Sequence, residues 1–455
     1  MSILPMRMPS GTWIQPNKRR PGRIMQLSEE GTGDIYAFEE EPLALGRFDG
    51  FGYYPACLGH AFSSEFLTIR KLGWSNSSTV WIGQNLAAWQ IEAWGSTTVL
   101  PNKFYAIKVK TSHASSLPSY ESDCYEAITA RRESPGLRHC LPLIRSHYNV
   151  STEGIHRYFM TSVTGPDLMK LASKRLGLYP IPAVKRILRQ TLLALEHIHA
   201  SGFLHGDLKP DNIVVSLPDG QTDKLVEEAL AKSPSETYPA SNVPYLSDQP
   251  IVTVKSQPLD PVWLDDDLGN LDIQLVDYGH AIPLDKTHDA PPNMQLEVFR
   301  SPEVTLGHPI SKEIDIWSLG CIAVYLLIGT HFFENPMFHD PADGGRDARR
   351  LCRTIEFLGR FSESFLARCS RRDELLDEHG VPRGVFGELA EGGRALVTSE
   401  NMPRTELETI LRPGLSDLGE RELSEVCGFV RRCLTVDPAH RPSASGLLED
   451  PWLAE

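Results

Sequence analysis

His205-Gly206-Asp207-Leu208-Lys209-Pro210-Asp211-Asn212-Ile213-Val214 is the stretch on which the reading of this chain turns. Before it, Val184 to His199 carries apolar residues at helical spacing; after it come the β-branched Val214 and Val215. The stretch is therefore a tight polar loop held between apolar elements. It presents a carboxylate (Asp207), an ammonium two residues on (Lys209) and an amide five residues on (Asn212). Phosphoryl transfer uses that set. The carboxylate orients an attacking hydroxyl, the cation meets the moving phosphate, and the amide oxygen helps to hold Mg²⁺. A polar loop between core elements is the bland alternative, so the neighbouring sequence has to supply the other parts.

Working downstream, Asp272 to Gly279 reads as a strand ending in Asp277-Tyr278-Gly279. Asp277 is a second magnesium ligand there, and Gly279 permits the turn behind it. Between Val215 and this strand, residues 217–271 are rich in Pro, Ser and Asp, with one helix-like piece at 225–231. They read as an inserted, largely extended segment, tolerable because loop-closure cost rises slowly with length. Further on, Ser301-Pro302-Glu303 precedes a helix beginning near Asp315, whose carboxylate is placed to cap the 205–212 loop from below. Near the end, Arg441 is the expected ion-pair partner of Glu303.

Working upstream, Phe104-Tyr-Ala-Ile-Lys108-Val109 is an apolar strand with one lysine in it. A lysine so placed needs an anion or a route to water; here it is read as the contact for nucleotide phosphates. Residues 120–132 read as a helix, with Glu126 expected to fix that lysine and Glu121 as the alternative. Before the lysine strand, two strands around Phe66 and Val80 are joined by a turn of small residues. Small side chains let backbone amides approach phosphates, and a resemblance to the glycine-rich loop of protein kinases makes Leu72, Gly73, Trp74, Ser75 and Val80 the expected nucleotide contacts. Ser162 and Val163 follow the strand ending at Thr161, where a protein kinase has the hinge whose backbone groups hold the base, and are the contacts that this resemblance implies.

Taken in order, these parts resemble a eukaryotic protein kinase from about residue 46 to 453. A narrower resemblance is to the SR-protein kinases. It rests on Gly52-Tyr-Tyr-Pro55 with Leu58-Gly-His60, on Arg70-Lys-Leu-Gly-Trp-Ser-Asn-Ser-Ser-Thr-Val-Trp81, on Ser78 at the third glycine position, on Gly206 in place of arginine, on the insert, and on Asp277-Tyr-Gly-His-Ala281. The resemblance implies an α+β, bilobal kinase fold with a β-rich N-lobe at 46–165 and a helical C-lobe at 166–455; residues 1–45, which have little periodicity, read as a flexible tail. It implies an ATP- and Mg²⁺-dependent serine/threonine kinase, monomeric, acting on Arg/Ser-rich splicing factors and moving between cytoplasm and nucleus. With Gly206 there, no cation waits in the loop for an activating phosphate, so activity without that phosphorylation is expected.

The departures are as specific as the matches. Ser75 replaces the middle glycine. Leu296 stands where such kinases keep a threonine bonded to the catalytic Asp. Glu297 stands where the SR-protein kinases have arginine, a change that favours a basic neighbour in the substrate. Ser75 and Leu296 are what a kinase-fold docking scaffold would show; the intact Lys108, Asp207, Asn212 and Asp277 oppose that alternative.

The bulk numbers agree with these expectations. The 455 residues carry a formal net charge of −14, which argues against a general nucleic-acid binder. The eight cysteines are scattered, without metal-site spacing. The apolar run at 319–329 is too short for a bilayer, which needs about 20 residues. Residues 1–27 have no acidic residue and carry Arg7, Lys18, Arg19, Arg20 and Arg23, reading as a basic tail, with a transit peptide as the alternative.

Overall fold

The computed structural model describes residues 39–62, 65–86, 102–174, 178–241, 250–333, 345–385 and 396–454, and elsewhere only a few short strands and helix ends. The basic tail and its alternative lie outside the described residues. The chain divides into two compact units, one made of residues 1–118, 142–166 and 217–263, the other of 119–141, 167–216 and 264–455. These bounds differ from the expected lobes in two places. The helix Glu121–Ala130 belongs to the second unit, and most of the insert belongs to the first.

The first unit is built on an antiparallel sheet of six strands: β1 (Ala61–Phe62), β2 (Phe66–Ser75), β3 (Ser78–Asn85), β4 (Phe104–Lys110), β5 (Leu143–Ser151) and β6 (Gly154–Thr161). Their order across the sheet is β5-β6-β4-β3-β2-β1. Alternation gives the sheet two apolar faces. Phe62, Phe66, Trp81, Tyr105, Ile107 and Tyr158 share one core. Ile82, Phe104 and Val163 share the other, and what covers them is the insert, through Val226 and Leu259.

The insert is thus a docked element rather than an extended one. Its helix, Thr222–Lys232, is a turn longer than the sequence suggested. Asp223 accepts the backbone N–H groups of Lys103 (2.8 Å) and Phe104 (3.2 Å). Arg70 on β2 donates to the carbonyls of Gln257 (2.8 Å) and Ser233 (2.7 Å), while the Gln257 N–H returns to the Lys71 carbonyl. Lys71 itself is fully buried. Its ammonium binds the carboxylates of Glu40 (2.6 Å) and Glu41. Burial pulls its pKa down to about 8, against the pull of Glu40. The described part of the lead-in, residues 39–45, is therefore not a flexible tail: Glu41, Leu43 and Leu45 are buried.

In the second unit, Val184, Ile187, Leu188, Leu192, Leu195 and Ile198 are all buried along the helix Ile181–Ala200, as their spacing predicts. The helix Glu313–Ile328 is buried nearly all round. Two short strands, β7 (Ile213–Val215) and β8 (Ile273–Leu275), pair antiparallel with Ile213 opposite Leu275. That register sets the ends of the Asp207 loop and of the Asp277 turn side by side. Arg441 and Glu303 form the expected pair, with contacts of 2.6 and 3.0 Å and both side chains wholly buried. Arg441 also donates to the carbonyls of Thr435, Glu313 and Val436, so the buried guanidinium is fully bonded. Among the described residues no helix is long and apolar enough to cross a membrane.

Candidate active site

The loop His205–Asn212 is held from below by Asp315, as its position suggested. Its Oδ2 accepts His205 N–H (2.8 Å) and His199 Nε2 (2.9 Å), and its Oδ1 accepts Gly206 N–H (2.9 Å). Burial pushes the Asp315 carboxyl up, but His199 and His205 outweigh it, and the net shift is downward. His205 uses both ring nitrogens: Nδ1 accepts Asp207 N–H (3.3 Å), so Nε2 carries the proton donated to the Val276 carbonyl (3.2 Å).

Three of the expected residues are bonded to one another. Asp207 Oδ2 accepts from Lys209 Nζ (2.5 Å) and from Asn212 Nδ2 (3.1 Å). Asn212 Nδ2 also donates to the Asp207 carbonyl (2.8 Å). With its donors so committed, Asn212 keeps its amide oxygen as the atom for a cation. Val276 N–H donates to the Asn212 carbonyl (3.0 Å), which brings Asp277 next to Asn212. Asp277 has φ +66°, a left-handed conformation that costs a residue with a Cβ about 1 kcal/mol or more. Gly279 N–H bonds back to its carboxylate (3.4 Å). Tyr278 is fully buried against the rings of Tyr125 and His205 and donates to the Leu275 carbonyl, so the turn is pinned from behind. An amide oxygen and a carboxylate brought together by the β7–β8 register fit a hard, oxygen-seeking cation such as Mg²⁺.

Glu126 does not fit its expected role. It is exposed, on the outward side of the helix Glu121–Ala130, whereas Glu121 is buried. A Cβ added at Gly279 would lie 3.7 Å from Glu121 Oε2, so this carboxylate sits beside the Asp277 turn. The five-residue separation rotates the two positions by roughly 140° about the helix axis, so only one can face inward.

The segment after Asp277 is packed against the catalytic loop. Gly206 has φ +76°, and a Cβ there would run into the Met294 side chain and the His280 carbonyl. Gln295, which sequence reasoning missed, is a buried strut. Its Nε2 donates to the Ile314 carbonyl and Ser318 Oγ, and its Oε1 accepts from Ser301 N–H and Oγ. Arg300 donates to the carbonyls of Asn293, Met294 and Gln295. Leu296 is exposed and contributes no hydroxyl to Asp207.

In the first unit, register places Gly73 opposite Val80, Val80 opposite Lys108, and Lys108 opposite Phe159, one row across four strands. Among the described residues, no atom outside its chain neighbours lies within 4 Å of where a Gly73 Cβ would be, which leaves room there for an approaching group. At the tip of the β2–β3 hairpin, the Ser75 and Ser78 hydroxyls are 3.0 Å apart, and Tyr53 Oη donates to the Ser75 carbonyl. Trp74 and Val163 are buried and Leu72 and Ser162 half-buried. Trp74 and Val163 therefore have only backbone groups to offer a ligand.

The model of the protein kinase domain matches residues 100–240 and 264–453. The chain is similar to a serine/threonine-protein kinase SRPK of Physarum polycephalum, 25% identical over 93% of each chain. It is similar to the protein kinase dsk1 of Schizosaccharomyces pombe, 22% identical over 89% of this chain and 83% of that one. It is similar also to SRSF protein kinase 3 of Sus scrofa, 28% identical over 51% of this chain and 38% of that one. This chain belongs to the protein kinase family, as a serine/threonine-protein kinase like the SR-protein kinases.

Proposed function

We propose that this kinase transfers the γ-phosphoryl group of ATP to serine in Arg/Ser-rich proteins, splicing factors among them, as a monomer that works in cytoplasm and nucleus. The observation that carries the chemistry is the bonded trio of Asp207, Lys209 and Asn212, with Asp277 joined to it through Val276. In this reading Asp207 orients the substrate hydroxyl and takes its proton. Lys209, already on the Asp207 carboxylate, balances charge on the transferred group. Asn212 and Asp277 would hold Mg²⁺, which would offset the negative charge of the nucleotide phosphates. Lys108 positions those phosphates, with Glu121 in the part first given to Glu126. Leu72, Gly73, Ser75 and Val80 cover the nucleotide, and backbone groups at Trp74, Ser162 and Val163 meet it. The names of the SRSF kinase relatives support the substrate class.

The test is transfer of labelled γ-phosphate to an Arg/Ser-repeat protein and to a version with every arginine replaced by glutamine. The proposal expects serine phosphorylation of the first, much weaker labelling of the second, and none with Asp207→Ala. Equal labelling of both proteins would refute the substrate class; labelling that survives Asp207→Ala would refute the chemistry.

A further inference from the structure

Glu297 lies on the segment that leads to Ser301-Pro302-Glu303, three residues after Met294. Met294 abuts Gly206, the residue before Asp207. Three residues span at most about 11 Å. An arginine one or two positions from a serine held at Asp207 would cover that distance with its backbone and side chain. Glu297 is therefore within reach of a substrate's immediate neighbours.

Its bonding leaves it open to them. The Glu297 side chain is 45% exposed, and among the described residues its one ion pair is with Arg346 Nη1 at 3.4 Å, from a side chain itself 55% exposed. Arg350 donates to the Glu297 carbonyl (3.2 Å), which fixes the loop; its buried guanidinium attracts the carboxylate through space without a hydrogen bond to it. Asp347, on the same helix as Arg346, is different: Arg350 (2.5 Å), Arg371 (3.1 Å) and Arg300 (3.9 Å) surround it. A carboxylate can accept a guanidinium through two parallel bonds. Among the described residues, Glu297 has one long ion-pair contact through Oε1, from a guanidinium that is half in water.

We propose that Glu297 is a specificity-determining residue that binds an arginine next to the phosphoacceptor serine, and that Arg346 occupies the place of this arginine until substrate arrives. This rests on the Arg/Ser reading above. Exchange of one guanidinium for another costs little charge stabilisation, so Arg346 acts as a built-in competitor rather than a lock. The same carboxylate repels a phosphorylated or acidic neighbour.

The experiment measures KM and kcat with two serine peptides that differ only in having arginine or glutamine on either side of the serine. Glu297→Gln is expected to raise KM for the arginine peptide about fivefold more than for the glutamine peptide. Arg346→Gln is expected to lower KM for the arginine peptide about two- to threefold, and to lose that effect in the Glu297→Gln background. Melting temperatures of the variants control for folding, which both exposed positions should tolerate. KM values that move equally for both peptides, or an Arg346→Gln effect that persists without Glu297, would overturn the inference while leaving the kinase reading intact. A wild-type enzyme that prefers the glutamine peptide would overturn the Arg/Ser reading and this inference together.

Discussion

Asp207 and Glu121 show how single side chains divide the work. Asp207 is fixed by donors from two directions, the Lys209 ammonium and the Asn212 amide. Glu121 is the buried carboxylate of its helix, and Glu126 is exposed. Steady-state kinetics should separate them: Glu121→Gln is expected to lower kcat/KM on the order of 100-fold, a loss of about 2.7 kcal/mol in transition-state stabilisation, and Glu126→Gln to leave it within about twofold. Asp315 makes the stability around the catalytic loop depend on pH. A carboxyl whose pKa is lowered by folding adds stability above its unfolded pKa of about 3.9, and that stability is lost as pH falls through the folded value. The chain should thus hold its catalytic loop at neutral pH and lose it at acid pH. In Asp315→Asn, unfolding free energy measured from pH 6 to pH 3 should start lower and fall less steeply than in wild type. Parallel curves would count against this role.

At the scale of elements, the polar words were legible and the packing between them was not. The catalytic loop, the Asp277 turn, Ser301-Pro-Glu303 and Arg441 could be read because polar residues stand at fixed spacing among apolar ones. The choice between Glu121 and Glu126 could not be read, since both fit a helix and only tertiary contacts decide which face turns inward. The docking of the insert was hidden for another reason. Arg70 bonds to backbone carbonyls of Ser233 and Gln257, which any sequence supplies. Residues 39–45 show little periodicity, so nothing in their pattern reveals that Lys71 draws Glu40 and Glu41 into the interior. Two stability measurements follow. Leu259→Ala removes insert side chain from the Ile82–Phe104 core and should cost about 3 kcal/mol of unfolding free energy. Glu303→Ala leaves Arg441 charged and buried and should cost roughly 3–5 kcal/mol. Chemical denaturation that moves by less than about 1 kcal/mol in either variant would contradict the packing described.

For the whole molecule, the question is whether the chain needs an upstream enzyme. In a kinase with arginine at the Gly206 position, a cation awaits a phosphate on the activation segment. Here glycine stands there, packed under Met294 and the His280 carbonyl. Gln295 binds the segment to the Ile314 carbonyl and the Ser318 hydroxyl, while Arg300 braces it internally through the carbonyls of Asn293, Met294 and Gln295. The segment is ordered by bonds already present, and Lys108, Asp207, Asn212 and Asp277 are all retained. The most direct measurement is the rate of γ-phosphate transfer to a serine peptide by protein made without other kinases and shown by mass to be unphosphorylated, beside Lys108→Met and Asp277→Asn. The account predicts transfer by the wild type without a lag, and rates at least about 100-fold lower in both variants. An unmodified wild type that stays inert until another kinase acts on it, or variants as fast as the wild type, would contradict it.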